Sequence, residues 1–252
     1  MSFASTALAT CKANVTKEES LQRDDPNSLT VGRKRLFVVG ATGRVGSLVV
    51  DQALAAGHSV TAFVRDPARL PPHRNLSIVT GRVAEDLEPL AAAIKGHDAA
   101  ISALGNPLWL KGLRGPAIME ASFRNLTIAM GRAGIRRIVA PLAWGAGASR
   151  EPSGLLVRLI AATLIRRDYR DFDAVEVILR ESPVDFTIAY FGALTDGPAT
   201  TDWSASPYLE TPRRLRIARA DVAAFLVAAA TDAHSTACRR VVLSGGGGQA
   251  HG

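Results

Sequence analysis

Arg35-Leu36-Phe37-Val38-Val39-Gly40-Ala41-Thr42-Gly43-Arg44-Val45-Gly46 is the stretch on which the fold turns. Leu36 to Val39 form a short apolar run that stops at a glycine, the pattern of a strand buried on both faces. From Val45 the apolar residues take helical spacing: Val45, Leu48, Val49, Ala53 and Ala56 share a face, and Gly57 ends the helix. Between strand and helix the three glycines have different tasks. Gly40 permits the sharp turn out of the strand, Gly43 lets a pyrophosphate approach the backbone, and Gly46 lets the helix pack against the sheet. The helix start then offers backbone N–H groups and a partial positive charge to phosphates. Gly40, Thr42, Gly43, Arg44, Val45 and Gly46 are therefore candidate cofactor-binding residues.

The next strand, Ser59–Val64, addresses which nucleotide. An acidic residue at its end would hydrogen-bond a ribose 2′-hydroxyl and favour NAD, whereas arginine accommodates a 2′-phosphate. The chain reads Val64-Arg65-Asp66-Pro67-Ala68-Arg69. Arginine's planar fork donates two parallel hydrogen bonds to phosphate, so Arg65 and Arg69, with Arg44 as a third candidate, predict NADP(H). The alternative is that Asp66 turns inward and Arg65 is only solvated.

Working outward, strands are expected at Leu76–Val79, Asp98–Leu104, Arg137–Leu142, Asp185–Phe191 and Arg240–Leu243, with Leu215–Ala218 as a further candidate. Helices are expected at Asp86–Ile94, Ile118–Arg132, Asp168–Glu181 and Asp221–Ala230. Such alternation implies right-handed crossovers and a mostly parallel sheet. The predicted fold is α/β: a doubly wound, Rossmann-like single domain over residues 33–244. Residues 1–32, rich in Ser, Thr and Ala and with four acids, read as a flexible tail or as an over-long start. Residues 245–252 read as a flexible glycine-rich tail. Pro198–Arg214, with little periodicity, reads as a long irregular connection over the carboxyl ends of the strands, where ligands bind in such folds.

Composition narrows the classes. The 252 residues are 47% hydrophobic and 21% charged, an ordinary globular balance. No uncharged stretch reaches about 18 residues, so no transmembrane helix is expected. Cys11 and Cys238 make neither a disulfide framework nor a zinc site, which fits a reducing, cytoplasmic setting. The net charge of +7 is spread over dispersed arginine pairs without interleaved aromatics, so no nucleic-acid partner is expected. His58, His73, His97, His234 and His251 stand apart, without metal-ligand spacing.

Gly40–Gly46, Val64–Pro71, Ile101-Ser102-Ala103-Leu104-Gly105 and Leu179-Arg180-Glu181-Ser182 resemble the atypical short-chain dehydrogenase/reductase superfamily. Within it the chain is most similar to the NAD(P)H-binding group of biliverdin-IXβ/flavin reductases and NmrA-like proteins, from about Arg35 to Val242. Asp185-Phe186-Thr187-Ile188 and Ala220-Asp221-Val222-Ala223 resemble later landmarks of the superfamily. The resemblance implies NADPH phosphates on Gly40–Gly46 and the 2′-phosphate on Arg65 and Arg69. It also implies the riboses near Ala103, Leu104 and Gly105.

The catalytic half departs from the superfamily. Four residues after Tyr169, Tyr190 and Tyr208 lie Asp173, Leu194 and Pro212, so no Tyr-x-x-x-Lys pair exists. The expected serine is absent from Ala140-Pro141-Leu142-Ala143-Trp144, Ala193 stands where flavin-reductase-like proteins can carry histidine, and Gly81-Arg82 replaces a Gly-Asp pair. The expected mouth is apolar and aromatic: Leu104, Leu108, Trp109, Leu142, Trp144, Phe191, Leu194 and Trp203, with Asn106 as a polar member. Of these, Asn106, Trp109, Leu142, Trp144, Phe191 and Trp203 are the substrate-binding candidates, set against ordinary core packing. Tyr169, Asp173 and Glu176 are the catalytic candidates. Asp173 and Glu176 can share a helix face, either as a desolvated acid–base group or as a solvated face paired with Arg170 or Arg180.

Three functions follow. One is an NADPH-dependent reductase passing hydride to a flat apolar acceptor such as a flavin, a quinone or a polyketide-like ketone. Another is a non-redox isomerase or cyclase on the same scaffold, and the third is an NADP(H)-sensing regulatory protein. The expected partner is a small apolar or aromatic substrate rather than a membrane, with monomer and dimer both open. Scaffold alone does not separate the three, because function lives in the site.

Overall fold

The computed structural model describes residues 32–105, 118–154, 166–200, 202–212, 214–232 and 239–245. Strand β1 (Arg35–Val39) runs into the glycine loop and helix α1 (Gly46–Ala55). Then follow β2 (Ser59–Val64), β3 (Leu76–Thr80), α2 (Leu87–Ala93), β4 (Ala99–Ser102), α3 (Met119–Ala133) and β5 (Arg137–Ala143). Helix α4 (Arg166–Glu181) leads to β6 (Asp185–Phe191), β7 (Ala193–Thr195), β8 (Trp203–Ser206), β9 (Arg216–Ala218), α5 (Arg219–Thr231) and β10 (Arg239–Gly245).

The main sheet has the order β3-β2-β1-β4-β5-β6-β10-β8. Every pairing in it is parallel except the last, where β8 runs antiparallel to β10. This is the expected doubly wound α/β architecture. β1 has β2 on one side and β4 on the other, so the order reverses there. A crevice opens outside the carboxyl ends of strands at such a reversal.

Two apolar layers clothe the sheet. Phe37, Phe123, Ile138 and Phe186 pack with α2, α3 and α4 on one face. Leu36, Val49, Ile101, Val222 and Leu226 pack with α1 and α5 on the other. Alternate residues of β1 thus enter opposite layers, as a strand covered on both faces requires. Full burial of a side chain such as Phe37 or Leu36 contributes about 1.5–3 kcal/mol.

The elements are pinned by polar contacts from distant segments. Asp171 on α4 accepts the backbone N–H groups of Met119 and Glu120, capping α3 from outside. Gly134 ends α3 in the left-handed conformation, φ 71°. Buried Arg137 donates from Nε and Nη2 to the Ala229 carbonyl in the last turn of α5.

The structure revises three expectations of secondary structure. The segment 198–214 is not wholly irregular: β8 lies within it and borders the sheet. Trp203-Ser204-Ala205-Ser206 has no alternating apolar signature, because an edge strand needs one paired neighbour more than a buried face. The strand expected to reach Leu104 stops at Ser102. β10 continues through Gly245, which pairs with Trp203 rather than starting a tail. The tail regions 1–31 and 246–252 lie outside the described residues.

Candidate functional site

The loop after β1 and the loop after β4 touch. A Cβ built on Gly40 would lie 2.7 Å from the Ala103 carbonyl carbon and 2.8 Å from the Leu104 nitrogen. Gly40 also has φ 77°, a conformation that side chains resist. A Cβ on Gly46 would run into the Gly40 carbonyl oxygen. The Gly43 N–H donates back to that oxygen at 2.9 Å, closing the turn. Thr42, Gly43, Arg44 and Val45 therefore ride on a backbone set by two glycines.

The start of α1 has no side-chain cap and no acidic residue in its first turn. Its positive pole is left to whatever anion occupies the crevice.

Arg65 directly follows β2, and Arg69 ends a short helical turn four residues on. Both are exposed, and neither side chain has a hydrogen-bond or ion-pair partner among the described residues. Asp66 Oδ1 accepts the Ala68 N–H at 3.1 Å. Asp66 Oδ1 is thus engaged by its own turn. Arg44 is engaged: its Nη2 donates to Asp196 Oδ2 at 2.5 Å.

The loop after β5 is tied to α4. Asp173 Oδ1 accepts the Gly147 N–H at 2.8 Å, and its other oxygen pairs with Arg150. Glu176 is 5% exposed. Its Oε2 accepts from the Ala148 N–H at 2.8 Å and from the Tyr190 hydroxyl at 2.5 Å, and its Oε1 from Arg240 Nε at 2.6 Å. The acidic pair is thus matched by Arg150 and Arg240, not by the neighbouring Arg170 or Arg180. Tyr169 is buried and donates its hydroxyl to the Trp144 carbonyl at 2.8 Å. Burial pushes its phenol up, and the Arg150 charge opposes this.

The apolar residues expected at the mouth divide between layers. Leu142 and Trp144 are buried in the layer of α3 and α4, with Leu104 packed against it. Phe191, Leu194 and Trp203 pack against the layer of α1 and α5, where Trp203 meets Phe225 edge-on at 5.8 Å. They do not form one aromatic surface. Asn106, Leu108 and Trp109 lie outside the described residues. Ser102 Oγ, at the end of β4, and Trp144 Nε1 are buried without a hydrogen-bond partner among the described residues. An orphaned buried polar group costs about 1–3 kcal/mol.

Sequence reasoning missed Asp196, Arg150 and Arg240. Each is an ordinary surface-type charge in the sequence and acquires a role only through a distant partner. Among the described residues no cluster of three or more His, Cys, Asp or Glu could hold a metal. No helix there is long and apolar enough to cross a membrane.

These features fit a dinucleotide. The glycine turn leaves no room for side chains, the helix pole has no side-chain cap, and two arginines have no partner among the described residues. Gly40–Gly46 would hold the phosphates, beside the Ala103-Leu104 backbone that lies against Gly40.

Comparison with known proteins agrees. The model of the NAD(P)H-binding family matches residues 40–233. The 3 beta-hydroxysteroid dehydrogenase/Delta 5→4-isomerase of Mycobacterium tuberculosis is 35% identical over 127 residues, which are 47% of this chain and 34% of that protein. The match thus spans about a third of that relative's length. ChuY of Escherichia coli O157:H7, described as an anaerobillin reductase, superposes with a TM-score of 0.68 at 23% identity, covering 84% of this chain and 97% of that one. A short-chain dehydrogenase/reductase of Veillonella parvula in complex with NADP superposes with a TM-score of 0.68 at 17% identity, covering 84% and 95%. Both superpositions speak to the fold.

Proposed function

From the premise that this chain belongs to the NAD(P)H-binding family, we propose that it is an NADPH-dependent oxidoreductase that passes hydride to a flat, apolar acceptor. The observation that carries the choice of NADPH is the pair Arg65 and Arg69. They are exposed and unpaired at the end of β2, while the one acid beside them is turned into its own backbone. An unpaired guanidinium is the group that a 2′-phosphate needs and a 2′-hydroxyl does not.

The cofactor supplies the hydride when bound, and the protein supplies position and a dry environment. In this reading the Gly40–Gly46 turn and the α1 pole hold the diphosphate. Leu104, packed against the apolar layer beside Ala103, offers an apolar wall to the acceptor. Asp173 and Glu176 fix the Gly147-Ala148 backbone, and Tyr169 fixes Trp144, so all three position the loop after β5. In this reading they are positioning residues, and the acceptor takes its proton from solvent. This reading accounts for activity without a Tyr-x-x-x-Lys pair.

The test is NADPH oxidation followed by absorbance against flavins, quinones, conjugated ketones and a ketosteroid, with nucleotide binding recorded in the same samples. The steroid is included because the mycobacterial relative is named for hydroxysteroids. Oxidation with one acceptor class is the expected result. Tight NADPH binding with no oxidation across the panel would sink the reductase reading and favour a non-redox enzyme or a sensor.

A further inference from the structure

Asp196 stands between two arginines. Its Oδ2 accepts from Arg44 Nη2 at 2.5 Å, and its Oδ1 from Arg219 Nη1 at 2.7 Å. The two contacts differ in origin. β7 and β9 form a separate two-stranded parallel sheet, in which Thr195 is paired with Ala218. Asp196 and Arg219 are the next residues out of the same ladder. The Arg219 side chain is 14% exposed, so this pair is built into the backbone pairing. Arg44 arrives from the glycine loop, 152 residues away in sequence, and its side chain is 67% exposed. It is the partner that can leave without disturbing the ladder.

Resting on the reading of this loop as the NADPH phosphate site, we infer that the Asp196 carboxylate is an internal stand-in for a cofactor phosphate at Arg44. It holds the Arg44 guanidinium while no nucleotide is present. It yields that guanidinium when a phosphate enters and keeps its own charge balanced on Arg219. Arg44 lies between Gly43 and Gly46, so it belongs to the turn that carries the phosphates. Guanidinium suits phosphate as well as carboxylate, because both present two oxygens to its planar fork. The two anions therefore compete for one cation. Nucleotide affinity is reduced by the fraction of chains in which Arg44 is already taken. An exposed ion pair can supply about a two- to fivefold reduction.

Removing a negative charge near an anion site tightens binding through space in any case, so the test is a double-mutant cycle on the full chain. NADPH affinity is measured by calorimetry at low salt for wild type, Asp196→Asn, Arg44→Ala and the double variant, with Asp196→Ser as a second replacement. Asp196 is exposed, and thermal melting checks that each variant is folded. The expected result is that Asp196→Asn tightens NADPH binding by about two- to fivefold, and that the same change tightens it distinctly less once Arg44 is alanine, where only the through-space part remains. Unchanged or weaker binding by Asp196→Asn overturns the inference, as does equal tightening in the Arg44→Ala background. A wild type that does not bind NADPH overturns the cofactor reading as well, so the two failures are told apart.

Discussion

The Tyr190 hydroxyl of β6 donates to Glu176 Oε2 of α4 at 2.5 Å, inside the layer that also buries Trp144. Trp144 and Tyr190 meet edge-on with centroids 6.5 Å apart. Burial first, then the Glu176 charge, holds the Tyr190 phenol well above its ordinary value of 10.0. It is therefore a donor at any ordinary pH, and Glu176 is its acceptor. Gly147 completes the arrangement: its φ is 50°, and a Cβ there would strike the Glu176 carboxylate and lie 3.0 Å from the Tyr190 hydroxyl.

Glu176→Ala should therefore cost about 3–5 kcal/mol, the loss seen when one member of a buried charged network is removed. The variant leaves Arg240, the Ala148 N–H and a buried phenol without their acceptor. Tyr190→Phe removes a single hydrogen bond and should cost about 1–2 kcal/mol. Denaturant unfolding of both variants measures this. A Glu176→Ala loss no larger than that of Tyr190→Phe would show that the carboxylate does not organise the loop.

Arg65→Ala with Arg69→Ala tests the 2′-phosphate assignment separately. Both side chains are exposed and unpaired, so the fold should be unaffected. Each removed charge-assisted hydrogen bond is worth about 1.5–3 kcal/mol, so NADPH affinity should fall by about tenfold or more. NADH affinity should not change. Parallel titrations with the two nucleotides decide it, and equal loss for both would place the phosphate elsewhere.

Why Arg65 and Arg69 stand out as candidates in the sequence while Asp196 does not is a matter of range. The glycine loop, the flanking strand and helix, and Arg65 behind β2 are all encoded locally, by spacing and by turn chemistry within a few residues. The contact of Arg44 with Asp196 joins residues 152 apart, and that of Glu176 with Arg240 joins residues 64 apart. No local pattern marks such partners. Asp173 and Glu176 illustrate the limit: their shared helix face was visible, but the loop that claims them was not. Trp203 shows the same for apolar residues. Its place on the α5 side follows from an edge strand that carries no periodic signal.

Gly43 and Gly46 should respond differently to alanine. A Cβ on Gly46 meets the backbone of Gly40 and lies 2.9 Å from the Ala41 Cα, and neither can swing aside as a side chain would. Gly46→Ala should lower the melting temperature and abolish nucleotide binding together. Gly43 is exposed, and its Cβ would lie 3.2 Å from the Gly40 oxygen, a milder contact that asks that oxygen to give by a few tenths of an ångström. Gly43→Ala should melt near wild type yet bind NADPH poorly, because the added methyl stands where the backbone must approach phosphate. Nucleotide titration of a fully folded Gly43→Ala protein with wild-type affinity would remove Gly43 from the site.

His58 gives the chain a pH dependence at the amino ends of β1 and β2. It is 4% exposed, and its Nδ1 accepts the Lys34 backbone N–H at 3.2 Å. Burial, assisted by the Lys34 charge, lowers its pKa below the ordinary 6.5. The neutral ring is the form the fold accepts, since a protonated Nδ1 would have no lone pair for that N–H. As pH falls through 6.5 the unfolded chain takes up a proton that the folded chain refuses, so stability falls. The loss levels off once the folded ring also titrates. His58→Asn removes the titration and keeps an acceptor for the Lys34 N–H in its amide oxygen. Melting temperatures taken from neutral pH down to about pH 5, above most carboxylate titration, should fall less steeply in the variant than in the wild type. Parallel curves would mean that His58 protonates as readily in the folded chain as in the unfolded one.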